Sequence, residues 1–385
     1  MTKNIKLAIG AVVVIGIVLA LFLSLAGEGE PGNGGKRVQV ATNIPITGKF
    51  SIWGTSIREG GRMALADLES NGNGQPEIDI TWGDNGSDAQ NAVTLMQKHY
   101  LSDPDVYVSG IKPQCMAIKE QITEKGTPHF VWIFDPFINR NSENNFRTLV
   151  NYRIEAPVFV NYARAKRASR VAILYANLPH AEEEFRELVI PELKEMGAEV
   201  FSQAYPVTTK DYKNLGVKVK RFGPDLIILN GFQNTLVGLV RALRPLGLIA
   251  NGNTIGTYDM IDAGEVLGPE EAEGIRVVAP YFESRSKRQK VIDWKNRFRK
   301  RYDKDPLYIH AFAYDMIQVI YDAAQRVQRP ASSDDWIDAI QKTEGKGITG
   351  SLSFDEDGNL DTPVEVAVFR DGTLVPEEDF TGMPE

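Results

Sequence analysis

From Arg37 onward the chain alternates short runs of β-branched and aromatic residues with longer stretches whose apolar positions recur at helical spacing. VQVAT at 38 precedes a helical pattern over Thr55 to Glu69, and EIDITWGD at 77 precedes one from Ser87. VYVSG at 106 leads into a pattern from Gln114, and HFVWIF follows at 129. Strand, helix and strand in this rhythm predict parallel βαβ units with helices covering the sheet faces. Ser87 is the expected cap of a helix whose Ala92, Val93, Leu95 and Met96 share one face.

A second series begins after Tyr152. VAILYA at 171, a helix over Ala181 to Met196, EVFSQAYP at 199, a helix over Asp211 to Phe222, DLIILNG at 225 and a helix over Asn234 to Leu246 repeat the alternation. Two such series imply two similar lobes. The tail departs from the pattern, with two or three helices over Glu283 to Lys342 and then strands at ITGSLSFD and VEVAVFRDGTLV. That is the expected look of a chain that completes one lobe by returning to the other.

The start is different in kind. Met1 to Lys6 is basic, Leu7 to Ala26 is an uncharged apolar run, and Gly27 to Lys36, GEGEPGNGGK, reads as a flexible linker. The first part is an export signal. Ser24 and Ala26 suit cleavage ahead of Gly27, whereas about 20 apolar residues also suffice to cross a bilayer as an uncleaved anchor. No cysteine follows the run to carry a lipid, which favours a periplasm.

The 385 residues, 43% hydrophobic and 24% charged, suit two globular domains better than one. Without residues 1–26, which hold two lysines and no acid, the formal charge moves from -8 to -10, and such a surface disfavours nucleic acid. The single cysteine, Cys115, permits no internal disulfide. His99, His129, His180 and His310 lack HExxH spacing, and there is no GxSxG or GxxxxGK[ST] element, so no catalytic residues, metal ligands or cofactor are assigned and an enzyme is disfavoured.

Several stretches together resemble one family. IPITGKFSIWGTSIREGGRMALADL at 44 to 68, WGDNGSDAQNAVTLMQKHY at 82 to 100, NFRTLVNYRIEAPVFVNYA at 145 to 163, HAFAYDMIQVIYDAAQR at 310 to 326 and ITGSLSFDEDGN at 348 to 359 occur in the order seen in type I periplasmic solute-binding proteins for leucine, isoleucine and valine. Each element is common by chance; their co-linearity carries the likeness. The resemblance implies an α/β fold of two Rossmann-like lobes, a Venus flytrap joined by three hinge crossings near Val150 to Tyr152, Tyr281 to Glu283 and Asp361 to Val364. Residues 37–151 with 283–362 then form lobe 1, and 152–282 with 363–385 form lobe 2. It further implies a monomer that captures a small solute by hinge closure and presents it to the permease of an ABC transporter. A membrane-tethered sensor of the same fold is the alternative.

Ligands of open α/β sheets bind beyond the carboxyl ends of strands. At such positions the expected contacts are Trp53 in the first loop, Gln114 and Cys115 before the third helix, and Trp132, Phe134 and Asp135 after the fourth strand. From the other lobe they are Tyr152, His180, Phe232 and Tyr258, with Lys112, Gln233 and Asp259 as neighbours. Amino-acid binders of the resembled family hold the α-carboxylate with small hydroxyl residues, where this chain has Gln114-Cys115 and Ile133-Phe134-Asp135. The expected solute is therefore amino acid-like, aromatic or cationic rather than a simple branched-chain amino acid.

Overall fold

The computed structural model describes residues 37–377 apart from 71, 73–75, 136–138, 140, 141, 251, 281 and 283–287. The expected export signal at 1–26, the expected linker at 27–36, most of the expected Tyr281 to Glu283 crossing and the last eight residues of the expected lobe 2 lie outside that set.

The first sheet contains β1 (Arg37–Ile44), β2 (Glu77–Asp84), β3 (Val106–Gly110), β4 (His129–Trp132) and β5 (Asn145–Arg147), in the order β2-β1-β3-β4-β5, every pair parallel. Strands buried on both faces should read as continuous apolar runs, and β3 and β4 are buried at every position. Three helices connect these strands: α1 (Ser51–Ser70), α2 (Ala89–His99) and α3 (Lys112–Lys125).

α2 begins later than Ser87, and its cap is Asp88, whose carboxylate accepts the Asn91 N–H at 2.8 Å. Ser87 has φ 65 and is occupied elsewhere, taking the Phe50 N–H and donating to the Thr47 carbonyl. Its hydroxyl fastens the loop before α1, so it is unavailable to cap α2.

The chain then enters α4 (Tyr152–Lys166) and builds the second sheet: β6 (Arg170–Ala176), β7 (Glu199–Tyr205), β8 (Leu226–Leu229), β9 (Thr254–Gly256) and β10 (Arg276–Pro280). These five are parallel, and β11 (Val364–Arg370) and β12 (Thr373–Pro376) extend the sheet antiparallel, giving the order β12-β11-β10-β9-β8-β6-β7. Between them lie α5, made of the successive pieces Pro179–Glu182, Glu183–Val189 and Ile190–Glu195, then α6 (Lys213–Phe222), α7 (Gln233–Leu243) and α8 (Met260–Ala272). The middle piece of α5 is π-helical.

Three helices of the tail, α9 (Gln289–Tyr302), α10 (Tyr308–Arg326) and α11 (Ser333–Gln341), return to the first sheet. α10 is buried along most of its length and lies against α1 so closely that a Cβ on Gly60 would stand 2.2 Å from the His310 carbonyl oxygen. Polar ties hold α1 to both α9 and α10: Tyr302 Oη of α9 donates to the Glu59 carbonyl, and Arg297 of α9 and Tyr314 Oη of α10 both reach the Asp67 carboxylate.

The strand expected at ITGSLSFD reduces to isolated bridges, Lys346 to Ser351 and Phe354 to Leu360. The buried carboxylate of Asp315 on α10 takes the N–H groups of Ile348 and Thr349 at 2.9 and 2.7 Å and the Thr349 hydroxyl at 2.6 Å. Donors that a strand would commit to a ladder are held by a side chain instead.

Arg147 joins distant parts of the chain. Its N–H donates to the Gly358 carbonyl and its carbonyl accepts from Leu360, so the first passage out of the first sheet runs beside the last one. Its fully buried guanidinium donates to the carbonyls of Ile133, Phe134 and Leu149 and to Asn359 Oδ1. Burial pulls the guanidinium down to about 10, opposed by the charge of Asp135. The group therefore stays charged at neutral pH.

Candidate functional site

The loops after β1, β3, β4, β6, β8 and β9 converge on one cavity of about 420 Å³ between the two sheets. The strands that reach this space are parallel in each sheet and lead into helices, so side chains just after a strand face it.

Eight of the ten expected contact residues line it: Trp53, Trp132, Phe134, Asp135, Tyr152, His180, Phe232 and Tyr258. Trp53 does so from the first turn of α1 rather than from a loop. Trp132 is 1% exposed and its indole Nε1 points at Met316 Sδ, 3.4 Å away, so only part of the ring reaches the cavity. Phe232 stands at the rim, 48% exposed.

Gln114 and Cys115 are not among the lining residues. Both sit in the first turn of α3 on the face turned toward the sheet, where each is buried. Cys115 Sγ meets Ser109 Oγ at 3.0 Å, Ser109 Oγ meets His129 Nε2 at 2.6 Å, and His129 Nδ1 meets Asn145 Oδ1 at 3.0 Å. The chain Ser109, His129, Asn145 has the connectivity of a nucleophile, base and orienting group. All three are nonetheless buried at 0 to 1% exposure, and none lines the cavity. Burial lowers His129 to about 3 and pushes the Cys115 thiol up to about 12. A neutral imidazole and an unreactive thiol in a sealed network tie strands together.

Aromatic rings form a closed circuit beside the cavity. Trp53 meets Phe134 edge-on with centroids 5.4 Å apart, Phe134 meets Tyr258 at 5.0 Å, Tyr258 meets Tyr308 at 6.1 Å, and Tyr308 meets Trp53 at 6.2 Å. Three of these rings belong to elements on the first sheet and Tyr258 to the loop after β9 on the second. Rings at these separations attract beyond the area they bury, and their faces suit an apolar or cationic group.

Opposite charge is scarce. Lys112 Nζ lies 2.6 Å from Asp135 Oδ2, and the nearby His180 is lowered by burial, so it is neutral at pH 7. The wall from the second sheet carries Glu155, Glu184, Asp259 and Asp262. Glu155 accepts the Tyr258 N–H at 2.9 Å; burial, with the charge of Asp259, raises it well above the usual carboxylate range. Glu184 is raised in the same way by burial and by Glu155 and Asp259, and its Oε1 has no hydrogen-bond partner. Burial first and Asp262 second push Asp259 up to about 8, and burial with Glu265 pushes Asp262 up to about 6. Among the described residues no lysine or arginine pairs with any of these four.

Backbone strain marks the other wall. Ile111, between β3 and α3, has φ 68 and lines the cavity, a conformation that costs a β-branched residue on the order of 1–3 kcal/mol. It sets the entry of α3, with Pro113 supplying no N–H in its first turn.

Sequence reasoning missed Glu155, Glu184 and Asp262. The acids at 182 to 184 look like solvated residues of a helix start. The π-helical turn over Glu183–Val189 instead leaves Glu184 buried beside Phe185, and such turns are frequent at functional sites.

Comparison with known proteins follows the same lines. The family described as periplasmic binding protein matches residues 37–373. A Leu/Ile/Val-binding protein homolog of Brucella abortus is 23% identical over 341 residues, covering 84% of this chain and 87% of the relative. Two solved structures share the fold. The substrate-binding protein of a branched-chain amino acid transporter from Streptococcus pneumoniae, in complex with isoleucine, has a TM-score of 0.72 at 18% identity and covers 88% of this chain and 97% of its own. A solute-binding protein of an ABC transporter from R. palustris, in complex with benzoate, has a TM-score of 0.71 at 17% identity, with coverage of 89% and 96%.

Proposed function

As the chain belongs to the periplasmic binding protein family, we propose that it is the extracytoplasmic solute-binding component of an ABC-type transporter. It captures a small organic solute, amino acid-like, aromatic or cationic, in the cavity between its two sheets and presents the closed form to a membrane permease. The protein works as a binder, and its cycle is opening and closing about the chain crossings rather than turnover.

One observation carries the reading: an aromatic and acidic cavity of about 420 Å³ lies where strand ends of both sheets face each other. Its walls belong to separate sheets, so a bound solute touches both and favours closure. The paired backbones of Arg147 and Gly358–Leu360 support a hinge that bends without separating. On this reading residues 37–151 with 283–362 move as lobe 1 against residues 152–282 with 363–385, as a monomer. The uncharged run Leu7 to Ala26 favours a second reading, in which the same fold stays tethered and acts as a receptor.

A thermal-shift screen over amino acids, aromatic acids, amines and amides tests the binder. A true ligand at about 100 times its Kd adds about 2.7 kcal/mol of stability, and small-angle scattering should show compaction with the same compound. A screen in which no solute raises the melting temperature overturns the proposal. The mass of the mature protein separates shuttle from receptor, since a product beginning near Gly27 is free to diffuse.

A further inference from the structure

Building on the solute-binding reading above, we infer that the ligand is a carboxylate-free organic amine carrying at least two positive charges. The juxtaposition behind this is Glu155, Glu184, Asp259 and Asp262 on one wall of the cavity, facing the aromatic circuit, while the single lysine of the lining is already engaged by Asp135.

The lining holds five carboxyl groups and one lysine. Lys112 and Asp135 cancel each other at 2.6 Å, which leaves four acids without a cation among the described residues. Glu155 receives a backbone N–H at 2.9 Å. Glu184 receives nothing at Oε1 although it is 1% exposed. A buried carboxyl oxygen without a donor is costly in a finished core and ordinary in a site that awaits one. An ammonium brings three donors and one full charge. Four carboxyls spread over α4, α5 and the start of α8 offer acceptors for two such centres.

The same wall argues against anions. At pH 8 a ligand carboxylate would meet the ionised Asp262 and a half-ionised Asp259 on one side, and on the other a lysine already bound, a neutral His180 and a helix start with Pro113 in its first turn. No serine or threonine side chain lines the cavity to receive it. The aromatic rings take the alkyl or aryl body of the amine and, through their faces, part of its charge.

Titration calorimetry on the full mature protein at pH 8 tests this with matched pairs: putrescine against butylamine, xylylenediamine against benzylamine, and leucine, benzoate and calcium chloride alongside. At least one diamine should bind ten times or more tighter than its monoamine, and leucine, benzoate and calcium should give no heat. Glu184→Gln should weaken the diamine at least tenfold while the empty variant melts no lower than wild type, which separates loss of a contact from loss of the fold. Equal binding of monoamine and diamine overturns the two-charge inference. Binding of leucine or benzoate without any amine overturns the amine class but leaves the solute-binding reading standing. Calcium binding that displaces the diamine overturns it in favour of a metal site. Silence from every compound, extended to sugars and amides, sinks both readings together.

Discussion

Phe134 and Tyr258 touch across the cleft, ring centroids 5.0 Å apart and planes tilted by 39°, although one follows β4 of the first sheet and the other β9 of the second. This is a contact that opening must break and closing must remake. Aromatic pairs contribute about 0.5–1.5 kcal/mol beyond their buried area. Phe134→Ala should therefore shift the unliganded protein toward an open shape in small-angle scattering and weaken solute binding about tenfold, or 1.4 kcal/mol. Unchanged scattering with unchanged affinity would show that the contact does not govern closure.

The acids of the cavity give the empty protein a definite pH dependence. Asp259, raised to about 8, and Asp262, raised to about 6, bind protons in the folded state at pH values where the unfolded chain has released them. Their contribution is fully present below about pH 4 and is lost as pH rises through 6 and 8. The melting temperature of the empty protein should fall between about pH 4 and 8 and level off above. Asp259→Asn should flatten that fall. A cationic solute reverses the preference by pairing with the ionised forms, so its stabilising shift should grow over the same interval.

Arg147 presents a different kind of test. Replacing it with leucine removes the donors to three carbonyls and leaves them buried, at about 1–3 kcal/mol for each unsatisfied group. A loss of at least about 3 kcal/mol in urea unfolding is expected. Arg147→Lys should recover only part of it, because an ammonium does not span the same fan of acceptors.

Close packing of α1 on α10 predicts that Gly60→Ala destabilises by about 1–3 kcal/mol, since the new methyl would press on the His310 carbonyl at 2.2 Å. Gly110, without a positive φ and with nothing nearer than 3.5 Å to an added Cβ, is the control for a glycine-to-alanine change without a collision.

Cys115 should resist thiol reagents in the native state and react only on unfolding. It is fully buried and its thiol is raised to about 12. Rapid labelling of the folded protein would contradict the sealed network that joins it to Ser109 and His129.

Much of the architecture was legible because parallel strands announce themselves. EIDITWGD and VYVSG are observed strands to the residue, the first between Pro76 and Asn85 and the second after Pro104-Asp105. The cavity was partly legible for the same reason, since Trp53, Phe134 and Tyr258 could be placed from strand ends alone. What escaped depends on contacts distant in sequence. Asp315 converts an expected strand into a pinned loop 33 residues away, and nothing in ITGSLSFD signals it. Glu184 escaped because three consecutive glutamates usually face water, and a change of helical winding cannot be read from one-letter periodicity. Gln114 and Cys115 failed as cavity residues because Ile111, just before α3, and Lys112 at its start face the space, while the next residues of the first turn face the sheet.

The packing of α1 on α10 also governs the order in which the molecule can assemble. By the time residue 147 has left the ribosome the first sheet has all its strands, yet one of its helical covers comes from Tyr308–Arg326. At 5–20 residues per second the delay is on the order of 10 to 30 s, and in that interval the five parallel strands of the second sheet are delivered in succession. The half of the protein made first is thus completed late, with an apolar face of α1 waiting for its partner. A nascent chain in this condition is a natural client for a chaperone, and shortening the wait by circular permutation should raise the yield of soluble protein.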